Sequence, residues 1–146
     1  MKNIYASLLL IGTLAATSCK KKEEDVKPAN PIVNIEATMN GASQSTPNSS
    51  QATGTLTGTY NRDTKEISYT IRYQGMAPTL GHFHRQATGR TDGPLSVPFP
   101  QLNDPIIGKA TLSAADDESI ANGTFYANLH STQYPGGEIR GNLKIK

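Results

Sequence analysis

The chain has 146 residues with 13 glycines, nine prolines, no tryptophan and a single cysteine, and its formal charge is +2. The excess charge is confined to the N-terminal part, since residues 34–146 hold nine basic and nine acidic side chains. A neutral domain excludes the basic face typical of nucleic-acid-binding proteins, and a lone cysteine excludes an intramolecular disulfide. The length leaves room for one folded domain.

The first 18 residues are predicted to be a signal peptide. Lys2 precedes an uncharged apolar stretch, residues 4–14, which is too short to span a bilayer as a helix. The segment Ala15-Ala-Thr-Ser-Cys19 resembles a lipobox, in which cleavage before the cysteine is followed by lipid attachment to Cys19. That resemblance implies a bacterial lipoprotein held on a membrane by acyl chains. The alternative is a plain secreted protein with a free thiol.

Residues 19–32 are predicted to be a solvated tether. The run Lys20-Lys-Lys-Glu-Glu-Asp25 is followed by a proline-containing stretch, and such a segment cannot bury apolar surface. One interpretation is a spacer that keeps the domain clear of lipid headgroups. The charged run also resembles the export signal of bacterial surface lipoproteins. That resemblance implies attachment to the outer membrane and exposure at the cell surface.

Residues 33–146 are predicted to form one mainly β domain. Alternating or β-branched segments predict strands at residues 32–39, 52–60, 65–74, 80–84, 108–112, 125–131 and 138–145. Ser113 is predicted to cap a short helix with an acidic first turn, and Asn122-Gly123 to end it. Short strands between Gly/Pro turns favour a Greek-key β-sandwich or barrel, immunoglobulin-like or superoxide-dismutase-like, with one short helix.

The last third of the chain carries several motifs in a recognisable order. They are Thr111-Leu-Ser-Ala-Ala-Asp116, Phe125-Tyr-Ala-Asn-Leu-His-Ser131 and Tyr134-Pro-Gly-Gly-Glu-Ile-Arg-Gly141, with Gly81-His-Phe-His84 upstream. Together they resemble the CHRD domain, named from chordin and found in many bacterial secreted proteins, over residues 33–146. Arg85 and the acidic run Asp116-Asp-Glu-Ser depart from the family's usual pattern. The resemblance implies a fold, whereas the family's biochemical activity is poorly defined.

All three histidines are predicted to lie on one face of the sheet. Alternation along a strand places His82 and His84 opposite Phe83, and His130 opposite Leu129. If Phe83 and Leu129 point into the core, the three imidazoles therefore point outward. The proline-rich segment 90–105 is predicted to fold over that outer face.

The last strand is predicted to alternate in the same way. Its inward residues are Ile139, Gly141, Leu143 and Ile145, and its outward residues are Glu138 and Arg140. With Asn128 of the preceding strand, the two outward residues are predicted to support the histidines or to contact a ligand.

Three neutral imidazoles that converge on one point suit copper or zinc. The arrangement resembles the copper face of Cu,Zn superoxide dismutase, without its bridging histidine, its zinc loop or its disulfide. If a metal binds, His82, His84 and His130 would hold a single ion with an open coordination position. The competing interpretation is a hydrogen-bonded polar patch that holds no metal.

Three functions are compatible with these patterns. The first is a non-enzymatic envelope module, held on the membrane through lipid on Cys19, that presents its domain to a protein or glycan partner. The second is a protein that binds copper or zinc at a single site. It would be an enzyme if the bound metal turned over in a redox reaction. The third is a purely structural domain. Nucleic acid is not expected as a partner in any of them.

Overall fold

The computed structural model of the protein describes residues 30–86 and 91–146. The predicted signal peptide, Cys19 and the tether up to residue 29 lie outside these residues. Within the described ranges, none of the helices has the length and apolar character needed to span a bilayer.

The described part of the chain is mainly β-structure. Its strands are β1 (Ile32–Asn40), β2 (Thr53–Asn61), β3 (Glu66–Gln74), β4 (Pro78–Arg85), β5 (Leu95–Pro98), β6 (Ile106–Thr111), β7 (Phe125–Ser131), β8 (Ile139–Asn142) and β9 (Lys144–Ile145). An α-helix, α1 (Ala114–Ala121), precedes β7, and a short 3-10 helix (Gly41–Ser43) follows β1.

The strands pair into one sheet in the order β5-β4-β7-β8-β1-β2-β3-β6, with β9 paired to β1. Every pairing is antiparallel, and the sheet curls into a nearly closed barrel. The predicted mainly β sandwich or barrel with one short helix is confirmed. This order makes β4 and β8 the two direct neighbours of β7, although β4 ends 40 residues before β7 begins.

Alternate residues of the strands fill the barrel interior. Ile67 and Ile71 of β3, which the sequence places on one face with Tyr69, are fully buried, and Tyr69 is 3% exposed. Phe83 and Leu129 also point inward and are fully buried, as expected from the alternation of β4 and β7. Because these two residues face the core, their neighbours in β4 and β7 must face the outside of the barrel.

The predicted last strand, residues 138–145, is divided into two strands in the structure. β8 ends at Asn142, where the pairing with β7 stops, and β9 begins at Lys144. β1 pairs with both strands in one register, with Asn40 opposite Arg140 and Ile35 opposite Ile145. Leu143 lies in the core, and Ile145 lies opposite the buried Ile35 on the inward face, as predicted, although it is 37% exposed.

The proline-rich segment 90–105 only partly covers the outer face, which corrects the prediction. Residues Leu95–Pro98 form β5, which pairs with β4 and extends the sheet. Phe99 and Leu102, further along, pack against the core. Among the described residues of this segment, those that contact the outer face beside the histidines precede β5.

The helix begins and ends where the sequence predicts. Ser113 accepts a hydrogen bond from the Asp116 backbone N–H at 3.2 Å, and the Asp116 carboxylate accepts one from the Ser113 N–H at 3.0 Å, which completes a capping box. Gly123, with φ of 69°, follows the last turn.

The two departures from the CHRD pattern lie against each other. The Arg85 guanidinium is 3.2 Å from the Asp116 carboxylate, which is almost fully buried. Burial alone would raise the pKa of Asp116, but hydrogen bonds from Ser113 and Arg85 lower it below the usual value. The ion pair therefore ties the start of α1 to the end of β4, next to His84.

Candidate functional site

The strand register brings the three histidines together on the outside of the barrel. In the β4–β7 pairing, Leu80 lies opposite His130 and His82 lies opposite Asn128. His84 follows two residues later on the same face and lies opposite Tyr126. His82 is therefore the central member, with His84 beyond it along β4 and His130 diagonal to it on β7.

The three imidazole rings are in mutual reach of one small ion. The His82 ring centroid lies 4.6 Å from that of His84 and 4.7 Å from that of His130. One ring nitrogen from each histidine lies within 4.8 Å of the other two. Among the described residues, this is the set of three potential ligands from histidine, cysteine and acidic side chains that the fold brings together. The convergence predicted from the sequence is present.

Two backbone carbonyls orient His84 and His130, the histidines that flank His82. The His84 Nδ1 atom lies 2.9 Å from the Gly93 carbonyl oxygen, and the His130 Nδ1 atom lies 2.9 Å from the Pro135 carbonyl oxygen. A carbonyl oxygen can only accept, so each Nδ1 carries the proton and donates. In the neutral ring the lone pair is then on Nε2, which is the atom available to a metal.

One ring nitrogen of each histidine is buried and has no hydrogen-bond partner among the described residues. These atoms are His82 Nδ1, His84 Nε2 and His130 Nε2. A buried polar atom without a partner costs about 1–3 kcal/mol, and such atoms often mark a functional position. Three of them in one cluster are typical of a site built to receive a ligand.

The surroundings favour the neutral form of His82 and of His84. Burial lowers the pKa of His82 to about 4, with further lowering from the neighbouring His84 and His130. Burial also lowers the pKa of His84, against the opposing effect of the Gly93 carbonyl. Neutral imidazole is the form that binds metals, so at neutral pH His82 and His84 are both ready to coordinate.

An aromatic and cationic stack supports His84 from the side. The Tyr126 ring lies parallel to the His84 ring, with centroids 5.0 Å apart and an angle of 9° between the planes. The guanidinium carbon of Arg140 lies 3.5 Å from the Tyr126 ring centroid on β7. Such a cation–π contact is stronger when it is removed from water, and Arg140 is 4% exposed.

Arg140 also holds the chain that covers this face. Its guanidinium donates to the Thr91 carbonyl oxygen and, at 3.2 Å, to the Gln86 side-chain oxygen. It donates to Asn142 Oδ1 at 3.3 Å as well. Thr91 is two residues before Gly93, whose carbonyl orients His84. Arg140 therefore contacts the loop that orients His84 rather than the imidazoles themselves.

Asn128 and Glu138 belong to a polar network beside the cluster. Asn128 Oδ1 accepts from Gln44 Nε2 at 2.8 Å, and Glu138 Oε1 accepts from Ser50 Oγ at 2.7 Å. Both side chains are buried beneath loops, although they point away from the barrel core. The prediction of an outward position is correct, and the loops explain why that position is not exposed to solvent.

Several residues of the site were not found from the sequence. Gly93 and Pro135 act through backbone carbonyls, which have no side-chain signature. Gln44 is 84 positions from Asn128 in the chain, so its buried contact depends on the tertiary fold. Tyr126 could have been found, because it shares a face of β7 with Asn128 and His130.

Comparison with known proteins connects this fold to one family. No curated protein and no solved structure gives a significant match to the chain. The family model described as the CHRD domain matches residues 35–143, which include every histidine and all the strands of the site. The chain therefore belongs to the CHRD domain family.

Proposed function

We propose that this CHRD domain binds one transition-metal ion, copper or zinc, through His82, His84 and His130. The observation that carries the proposal is the convergence of three imidazoles with buried, unpartnered ring nitrogens. Imidazole nitrogen suits both metals, and backbone carbonyls that fix the ring orientation are typical partners of metal-binding histidines.

Three protein ligands would leave a position open on the bound ion. Sites of this kind hold water or a small ligand there, whereas closed four-ligand sites serve structure alone. We propose a non-enzymatic binding role as the primary function. Metal-dependent redox turnover is the alternative, and an assay of the loaded protein for superoxide dismutation would distinguish the two.

The test is a metal titration of the full chain after removal of metal with a chelator. We expect one equivalent of zinc or copper to remain after dialysis, measured by elemental analysis. His82→Ala should lose this stoichiometric metal. Leu80→Ala is the matched control, because Leu80 lies on the same face and is 58% exposed. No bound metal, or equal binding by the His82→Ala variant, would remove the proposal and favour the polar-patch interpretation.

We also propose that the protein is a lipoprotein attached through Cys19, at the outer membrane and exposed at the cell surface. The support is the sequence: an apolar leader, small residues before a lone cysteine and a charged tether after it. Growth with a labelled fatty acid should label the wild-type chain and not Cys19→Ser. A mature protein without label at Cys19 would contradict the anchor. Protease treatment of intact cells would then test surface exposure separately.

A further inference from the structure

A groove of about 350 Å³ lies beside the histidine cluster, between two loops. One loop connects β1 to β2 and the other connects β7 to β8. We call this the loop groove, and its lining residues are Gln44, Ser45, Thr46, Pro47, Asn48, Gln133, Tyr134, Pro135, Gly136 and Gly137. Pro135 is the residue whose carbonyl orients His130, so the groove and the cluster share one loop.

Hydrogen bonds hold the two walls together without a ligand. Asn48 Nδ2 donates across the groove to the Gly137 carbonyl oxygen at 3.2 Å and to that of Glu138 at 3.0 Å. Gln44, which is 8% exposed, donates to Asn128 at the base. A Cβ atom at Gly137 would lie 2.8 Å from Asn128 Nδ2, so glycine permits this close packing. A groove that is already ordered loses little conformational entropy on binding.

The lining carries no formally charged side chain. Four other grooves on the described surface each contain at least one. Their charged residues are Arg72 in the first, Glu36 and Lys144 in the second, Lys109 in the third, and Arg62, Lys65 and Asp117 in the fourth. The loop groove instead offers amides, hydroxyls, prolines and one tyrosine. Side-chain amides both donate and accept, which matches a ligand whose groups also do both.

We propose that the loop groove binds an uncharged carbohydrate. Sugar hydroxyls would pair with the exposed side chains of Ser45, Thr46 and Gln133, while the C–H face of a sugar ring would pack on the apolar ring of Tyr134. An anionic ligand would lose its hydration without gaining a cation, which is costly. Peptides are recognised mainly through apolar pockets or open sheet edges, and the most exposed large apolar side chains of the described chain lie outside this groove.

Calorimetric titration of the full chain in the presence of a chelator tests this proposal. The probes are a panel of neutral oligosaccharides, a matched panel containing uronic acids, and uncharged polar peptides. We expect saturable binding of at least one neutral oligosaccharide, weakened about five- to tenfold by Tyr134→Ala. Gln133→Ala, at an exposed position, should also weaken it. Thr57→Ala, exposed on the outer face of β2, is the control and should bind as the wild type does.

Absence of binding by every neutral oligosaccharide would overturn the proposal. So would binding by the anionic or peptide panel alone, or neutral binding that both groove variants leave unchanged. If Tyr134→Ala fails to fold, Gln133→Ala decides the outcome. The chelator keeps the histidine cluster empty of metal, so this result is independent of the metal titration in either direction.

Discussion

Strands β2 and β7 belong to the same barrel but differ on their outer faces. In β2 the inward side chains of Leu56 and Tyr60 are buried, and the outward threonines, Thr53, Thr55, Thr57 and Thr59, are exposed. In β7 all seven residues are buried, including the outward Tyr126, Asn128 and His130. Polar groups on β2 are solvated, whereas those on β7 need internal partners. The contrast shows where the protein has covered polar side chains with loops, and that place is the histidine cluster.

Truncation of a core side chain should lower the free energy of unfolding to a similar extent in the two regions. Leu56 of β2 and Leu129 of β7 are both fully buried. Each Leu→Ala substitution should lower the free energy of unfolding by about 2–5 kcal/mol, because it removes buried methyl groups and leaves a cavity. Denaturant unfolding measures both values. A loss below about 1 kcal/mol at one position alone would show that the regions differ inside as well as outside.

The pH dependence of stability should come from the histidine region. The folded pKa of His82, about 4, is below the unfolded value of about 6.5, so the unfolded state binds more protons between these pH values. Metal-free protein should thus be most stable above about pH 6.5 and lose up to roughly 3 kcal/mol as the pH falls to about 4, less any solvent screening. His82→Gln should flatten this dependence. An unchanged profile in that variant would contradict the assignment.

Substitution of one arginine in each region should cost different amounts of folding free energy. Arg140 is buried on β8, stacked on Tyr126 and bonded to several oxygens, whereas the Arg72 side chain of β3 is 67% exposed in an ion pair of 3.9 Å with Asp104. Arg140→Ala should cost about 1.5–3 kcal/mol, because it removes charge-assisted hydrogen bonds and leaves buried acceptors. Arg72→Ala should cost under about 0.5 kcal/mol. Equal losses of stability for the two variants, measured by thermal unfolding, would contradict this difference between the two faces.

Local sequence patterns predicted much of the scaffold. The alternation of Ile67, Tyr69 and Ile71 gave the correct face of β3, and Ser113 gave the correct start of the helix. These features depend on neighbours within a few residues. The same alternation also placed the three histidines together, because Phe83 and Leu129 are unambiguous core residues.

Features that depend on long-range pairing were not predicted. β5 is four residues long and lies between prolines, so it has too little alternation to be recognised. The division between β8 and β9 falls where the pairing with β7 ends, at Asn142 opposite Tyr126. The carbonyls of Gly93 and Pro135 meet the histidines only after the loops have folded. The outer face was therefore correctly located, but its covering was not.

The central claim, that three imidazoles form one metal site, is tested most directly by X-ray absorption spectroscopy of the full chain loaded with one equivalent of zinc. We predict three imidazole nitrogen ligands at about 2.0–2.1 Å and a further light-atom ligand in the open position. His82→Ala should show fewer imidazole ligands or no bound zinc. A zinc environment of oxygen ligands, or one unchanged by His82→Ala, would contradict the claim.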